Sequence, residues 1–411
     1  MSRPTAALRR VSATATKLPV DTAYLRDVML ELLCIPSPSG RTDAVMQRVG
    51  DLLAEMGVEL DITRRGVLRA TLPGRRKDVN RAVVVHADTI GTMVKRLKEN
   101  GRLEVMQVGT HSARFAEGAH VTILTDEPDR TYTGTVLPLK SSGHTYGDEI
   151  DTFAIGWDEV EVRIDAPVYD VQGLLALGIQ VGDFVALDAA PQITPLGYVK
   201  SRHLDDKAGL AACLAALKAV TDAGITPPVT ARLLVTIGEE VGHGATHGFD
   251  SGTAEIVAVD NGVVAPGQQS REESVSVGMM DSTGPHDFHL TRRLLALADE
   301  HGIPAVRDVY RVYRSDAAPA VESGVEARTA LLGFGLDSSH GHERTHLDGL
   351  QHLAELLAVY LQGDLTFADW DVHESGALDD FPSTAVQPTP VEPTEVDRRL
   401  SEAERRQAGQ A

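Results

Sequence analysis

VVVHADTIG, residues 83–91, is an apolar run that stops at His86, with Asp88 two positions further on. A short, continuous, β-branched run bounded by polar residues reads as a strand buried on both faces, and such strands belong to parallel sheets covered by helices. The flanking sequence agrees. Upstream, DTAYLRDVMLELLCI (21–35) and TDAVMQRVGDLLAEMGVEL (42–60) carry helical spacing, the first with Asp21 placed as an N-cap. Downstream come a helix (DDKAGLAACLAALKAV, 205–220), two strands (TARLLVTIGEE, 230–240; AEIVAVDNG, 254–262) and two helices (LTRRLLALADEHG, 290–302; LDGLQHLAELLAVYLQ, 347–362). This alternation predicts an α/β fold, a mostly parallel sheet flanked by helices.

Between these halves the texture changes. Residues 92–195 hold short alternating segments broken by glycines, among them RLEVMQVGT (102–110), AHVTILTDE (119–127) and VEVRIDAPV (160–168). They predict a small all-β domain inserted into the first, so the catalytic-type domain comprises 21–91 and 196–364. Residues 1–20 and the acidic, proline-rich stretch 365–411 lack the apolar content to order themselves and are expected as tails.

Composition narrows the function. The chain has 411 residues, 42% of them hydrophobic, enough for at least one large core, and a formal charge of -20. That charge repels nucleic acid and anionic membranes, so neither is expected as a partner. No apolar stretch reaches the ~18 residues that cross a bilayer. The two cysteines, Cys34 and Cys213, sit in apolar helical segments, which argues against a disulfide framework and for a reducing, cytoplasmic setting.

Polar residues fall at the ends of the apolar segments. His86 and Asp88, Asp205 and Asp206, Glu239 and Glu240, and Asp260 all occupy such ends, and FGLDSSHGHERTH (334–346) adds histidines. Ligands of open α/β sheets bind beyond the carboxyl ends of the strands, so these groups can converge on one crevice. Carboxylates gathered so closely repel one another and take up protons unless divalent cations neutralise them. Taken singly, each has a blander reading: a hydrogen-bonded strand-end histidine, a solvated Glu-Glu, or an Asp-Asp complementing a helix dipole. None of these explains the shared location.

The order His-x-Asp, Asp-Asp-Lys-x-Gly, Glu-Glu, Asp, His resembles the co-catalytic zinc peptidases of clan MH. The β-rich insertion, IPSPSGRTD (35–43), EEVGHGA (239–245) and YRSDAA (313–318) are similar to the glutamyl aminopeptidase and tetrahedral aminopeptidase family, metallopeptidase family 42. A divergent bacterial branch associated with the osmoprotectant N-acetylglutaminylglutamine amide is a further similarity. The resemblance implies two divalent ions, zinc with cobalt or manganese able to substitute. Asp205 would bridge them, His86 and Asp260 would complete one position, and Glu240 and His340 the other. Glu239 would be the general base towards water, and Asp88 would accept a hydrogen bond from the far nitrogen of His86. The Asp205–Asp206 peptide bond would be cis. The family pattern His-Ser-Pro-x-Glu is replaced here by His340-Gly341-His342-Glu343, which leaves His342 as an alternative to His340.

The function so implied is hydrolysis of short peptides by a metal-dependent aminopeptidase, assembled as a homo-oligomer between a dimer and a dodecamer. The alternatives are an amidohydrolase or deacylase of the same clan acting on an N-acyl dipeptide, and a metal-binding protein without catalysis. Glu239 favours an enzyme, because metal binding alone does not require it.

Overall fold

The computed structural model describes residues 15–378 continuously and, beyond them, 381–382, 399, 401–402 and 405–407. At its centre four parallel strands lie side by side, in the order Val229–Thr236, Arg76–His86, Thr253–Val264, Arg328–Asp337. Antiparallel strands extend the sheet on both margins, Leu68–Leu72 and Glu59–Ile62 on one side and Glu343–His346 and Tyr198–Ser201 on the other. The sheet is therefore mixed, with its parallel part in the middle.

The double-faced burial predicted for the His86 strand is visible residue by residue. Val83 and Val85 enter the main core with the helices Thr22–Leu33, Asp43–Glu55, Leu204–Asp222, Phe288–Glu300 and Leu347–Gln362, while Ala82 and Val84 face a smaller cluster on the other side. That second face is covered by Ala320 of the six-residue helix Ala317–Glu322 and by the loop carrying Ala245 and Phe249. The long helices thus share one core, and the opposite face is closed mainly by loops. Asp21 caps the first helix by accepting from the Tyr24 amide at 2.9 Å.

The insertion is a closed six-stranded barrel. Its strands are Gly91–Leu97, Leu103–Val108, His120–Leu124, Thr131–Pro138, Val160–Ile164 and Phe184–Leu187, and every pairing is antiparallel. Val94, Val105, Val121, Ile123, Val136 and Val162 fill its interior, which is the alternation read in the sequence.

Parts of both expected tails are packed against the fold. Thr16 donates its amide to Gln362 Oε1 at 3.1 Å, and Lys17 pairs with Glu355 at 2.8 Å. At the other end Leu365 is buried, the Thr366 amide donates to Glu255 Oε1, Arg293 donates to the Leu365 carbonyl at 2.6 Å, and Asp371 pairs with Arg328 at 3.0 Å. Buried Glu255 and Arg293 need these partners, and so an acidic, apolar-poor segment is ordered by hydrogen bonds rather than by its own core. Residues 1–14 and most of those beyond 382 lie outside the described residues. No helix among the described residues is long and apolar enough to cross a membrane.

Candidate metal centre

The parallel strands aim the polar residues at one place. His86 is the last residue of its strand and lies opposite Thr236, three residues before Glu239. Asp260 is inside a strand rather than at its end, which differs from the expectation. The strand loses its neighbour on the His86 side after Ala258 but stays paired on the other side as far as Val264. The two strands part there, and the gap is the crevice. Asp205 and Asp206 enter at the start of the Leu204–Asp222 helix, joined by a cis peptide bond. His340 comes from the loop after Asp337.

Ligand-type atoms gather in two overlapping groups, His86 with Asp205 and Asp260, and Asp205 with Glu240 and His340, each within 4.8 Å. Asp205 belongs to both. His86 Nε2 lies 3.2 Å from Asp205 Oδ1; His340 Nε2 lies 3.2 Å from Glu240 Oε2 and 3.5 Å from Asp205 Oδ2. His342 is exposed and outside both groups.

The rings are oriented by the main chain. His86 Nδ1 donates to the Asp88 carbonyl at 2.9 Å, and His340 Nδ1 to the Thr110 carbonyl at 2.7 Å. The Asp88 carboxylate stands farther off, at 3.6 Å from His86 Nδ1, so the bond expected from His86 goes to the Asp88 backbone instead. The carboxylate does other work: it accepts the Ser39 hydroxyl at 2.5 Å and the amides of Glu239 and Glu240 at 3.2 and 3.4 Å. It fixes the turn that carries both glutamates.

Electrostatics explains what the groups fit. Burial, then the charge of Asp260, pushes the Glu239 carboxyl well up; burial and the charge of Asp205 do the same to Asp260. Against burial, which would lower it, the Glu240 carboxylate holds His340 up at about 10. Among the described residues Glu240 Oε1 and both Asp206 oxygens are buried with no hydrogen-bond partner. With each Nδ1 proton committed to a carbonyl, Nε2 faces carboxylate oxygen, and unless it carries a second proton, as the raised pKa of His340 favours without metal, acceptor meets acceptor. A cation between them resolves that conflict. A tetrahedral ion with bonds of about 2.0–2.2 Å sets its ligand atoms roughly 3.3–3.6 Å apart, close to the separations seen. The donor set of imidazole and carboxylate suits zinc and its first-row neighbours. The residues present fit divalent metal.

Beside this cluster opens a cleft of about 690 Å³, lined by Thr110, Glu239, Asp260, Tyr313, Arg314 and His340. A profile of the M42 glutamyl aminopeptidase family matches residues 66–356, which include every residue of both groups. The chain belongs to that family. Its members are metallo-aminopeptidases, hydrolases that depend on metal ions. A Bacillus subtilis (strain 168) protein provisionally named aminopeptidase YhfE is 39% identical over 339 residues, 82% of this chain and 97% of its own length. An aminopeptidase from the archaeon Desulfurococcus kamchatkensis superimposes with a TM-score of 0.75 at 19% identity, covering 83% of this chain and 95% of its own. The Pyrococcus horikoshii TET1 peptidase, described as assembling into a tetrahedron or a large octahedral shell, gives 0.72 at 20% identity over 82% and 99%. These two share the fold.

The M42 site also holds residues to which the sequence reading gave no role. Asn261 donates through Nδ2 to Asp205 Oδ2 at 2.7 Å and to Asp260 Oδ1 at 3.1 Å, tying the two carboxylates together. Glu343 accepts the amides of Asp205 at 3.2 Å and His340 at 2.9 Å, and burial with the charge of Asp205 raises it to about 8. Asp316 accepts from Thr236 Oγ1 at 2.5 Å and from the Ala245 amide at 2.8 Å. Each lies within a motif already singled out (DNG, HGHE, YRSDAA), and that membership was the available signal.

Proposed function

We propose that this M42 enzyme hydrolyses the N-terminal peptide bond of short peptides at a two-metal site. His86 and Asp260 hold one divalent ion, Glu240 and His340 the other, and Asp205 is shared. Zinc is the first choice, with cobalt or manganese as substitutes. Bound metal would supply Lewis acidity towards a carbonyl and bring the pKa of water towards ~7. Glu239 accepts the proton from water and returns it to the leaving amine. The Asp88 carboxylate keeps Glu239 and Glu240 in register through their amides. The observation that carries the proposal is the pair of ligand groups joined at Asp205, with Glu239 on the adjoining cleft.

The finer substrate reading is metabolism of the osmoprotectant N-acetylglutaminylglutamine amide, supported by family resemblance alone. Its acetylated α-amine conflicts with an aminopeptidase site, which would leave groups meant for an ammonium unpaired. A deacetylated or partly degraded form is the better substrate, and an N-acyl amidohydrolase is the second reading. Metal-loaded protein is incubated with free-amine dipeptides, their N-acetyl counterparts and the osmolyte, and products are identified by mass spectrometry. Cleavage of free-amine dipeptides is expected. Cleavage of N-acetyl substrates alone would replace the aminopeptidase with the amidohydrolase, and no cleavage of either, with two metals bound, would leave a metal-binding protein.

A further inference from the structure

The two metal positions rest on different parts of the chain. His86 and Asp260 lean on Asp88 and Asn261, all on segments of the sheet domain. His340 leans on the barrel, and Glu240, whose amide is held by Asp88, lies against it. Gly109 and Thr110 directly follow the barrel strand Leu103–Val108, and the Thr110 carbonyl accepts the His340 Nδ1 proton at 2.7 Å. Gly109 has φ +81, and a Cβ there would come within 3.3 Å of the Glu240 carbonyl oxygen and 3.5 Å of Glu240 Cβ. Trp157 holds this segment from behind, donating Nε1 to the His111 carbonyl at 3.1 Å with its ring edge-on to that of His111.

A clip spans the seam. Arg202 Nη1 donates to the Phe115 carbonyl of the barrel at 2.9 Å and to the Gly341 carbonyl, next to His340, at 3.4 Å. The Phe115 ring lies 3.5 Å from the point where a Cβ on Gly341 would sit. His340 itself has φ +63, a left-handed conformation that a non-glycine residue keeps only where its surroundings over-determine it. The carbonyl of Thr110, the clip of Arg202 and the amide bond of His340 to Glu343 are those surroundings.

We infer that the inserted barrel is a built part of one metal position: Gly109 and Thr110, clipped by Arg202, orient Glu240 and His340, whereas His86 and Asp260, the two ligands that belong only to the other position, are held by groups of the sheet domain. Arg202 is a positioning residue in this scheme. With its Nδ1 proton held by Thr110, His340 presents Nε2 to a metal; without the clip the ring loses both register and tautomer. The inference rests on the two-metal reading above.

The test uses full-length protein stripped with chelator and titrated with Co²⁺, followed by calorimetry and by visible absorption. The parent should show two sites. Arg202→Met keeps the aliphatic stem and removes the clip; one site should keep the parental affinity and the other weaken by about 10–100-fold. Arg202→Lys, which can still reach one of the carbonyls, should recover part of the loss. Asn261→Ala, which removes bonds to both Asp260 and the shared Asp205, should weaken both sites and so supplies the pattern that Arg202→Met must not show. Gly109→Ala should act as Arg202→Met does; should it fail to fold, half-exposed Arg202 carries the test alone. Equal weakening of both sites in Arg202→Met, or two unaltered sites, overturns the inference. A parent that binds fewer than two ions overturns the two-metal reading itself, an outcome seen before any variant is made.

Discussion

At Glu239 and Glu240, adjacent side chains of one type do different things because the turn splays them. Glu240 Oε2 faces His340 at 3.2 Å, whereas Glu239 lines the cleft next to Asp260 with its carboxyl pushed well up by burial. Glu239→Gln should therefore retain both metals and lose about 10²–10⁴-fold in kcat, since an amide accepts no proton. Glu240→Gln should lose or weaken one metal. Elemental analysis beside a dipeptide assay reads both, and near-normal turnover by Glu239→Gln would remove it as the base. The order of five motifs pointed to these residues, but their orientation could not be read from it. His86 and His340 are both aimed by main-chain carbonyls, those of Asp88 and Thr110, and a carbonyl has no letter in a sequence. The same gap explains why Asp88 was read as a partner of His86 when its carboxylate serves the Glu239–Glu240 turn.

Among the elements, the helices and central strands were legible because their signals are local. The Leu347–Gln362 helix coincides with its sixteen-residue pattern, and Asp21 caps where a cap was expected. The alternation in residues 92–195 suits either a closed barrel or a partner surface, and the choice between them rests on Gly91–Leu97 meeting Phe184–Leu187 across most of the insertion, a pairing no short pattern encodes. The barrel carries its own pH sensitivity. His111 is buried, both ring nitrogens lack hydrogen-bond partners among the described residues, and burial, then the nearby His340, lowers its pKa to about 4. Its unfolded value is ~6.5, so below that pH the unfolded chain takes up a proton that the folded chain refuses. Stability then falls as pH drops from ~6.5 towards 4, by about 2 kcal/mol at pH 5 for this residue alone. His111→Phe, which keeps a ring against Trp157 and removes two unsatisfied nitrogens, should flatten that part of the acid limb. Thermal melts between pH 7 and pH 5 give the answer, and parallel curves for parent and variant would show that His111 is not the titrating group.

Across the whole molecule, residues 16–17 and 364–371 are held by buried and half-buried polar groups of the sheet domain. Truncation after Gly363 removes the partners of Arg293 and of Glu255 Oε1, so buried charges lose their bonds; a loss of about 3 kcal/mol or more is expected relative to a chain that ends after residue 382. Equal melting temperatures for the two truncations would show that residues 364–382 contribute nothing. For assembly, we propose the outside of the barrel as the contact surface. The barrel is closed and most of its strand edges are paired within it, so side chains on its outer surface are the expected contacts. They are present: Met106, Tyr169, Leu175 and Val181 on the insertion are exposed at 61%, 80%, 45% and 65% and offer apolar contacts to a second copy. The formal charge of -20 opposes close approach of copies, but at physiological salt it is screened beyond ~8 Å, while apolar contact is not. A homo-oligomer is therefore expected to persist or grow as salt is raised and to shrink when Tyr169 and Val181 are both changed to Asp. Light scattering coupled to gel filtration measures this directly. A single species near the 44.0 kDa chain mass at micromolar concentration, in low and high salt alike, would refute self-association.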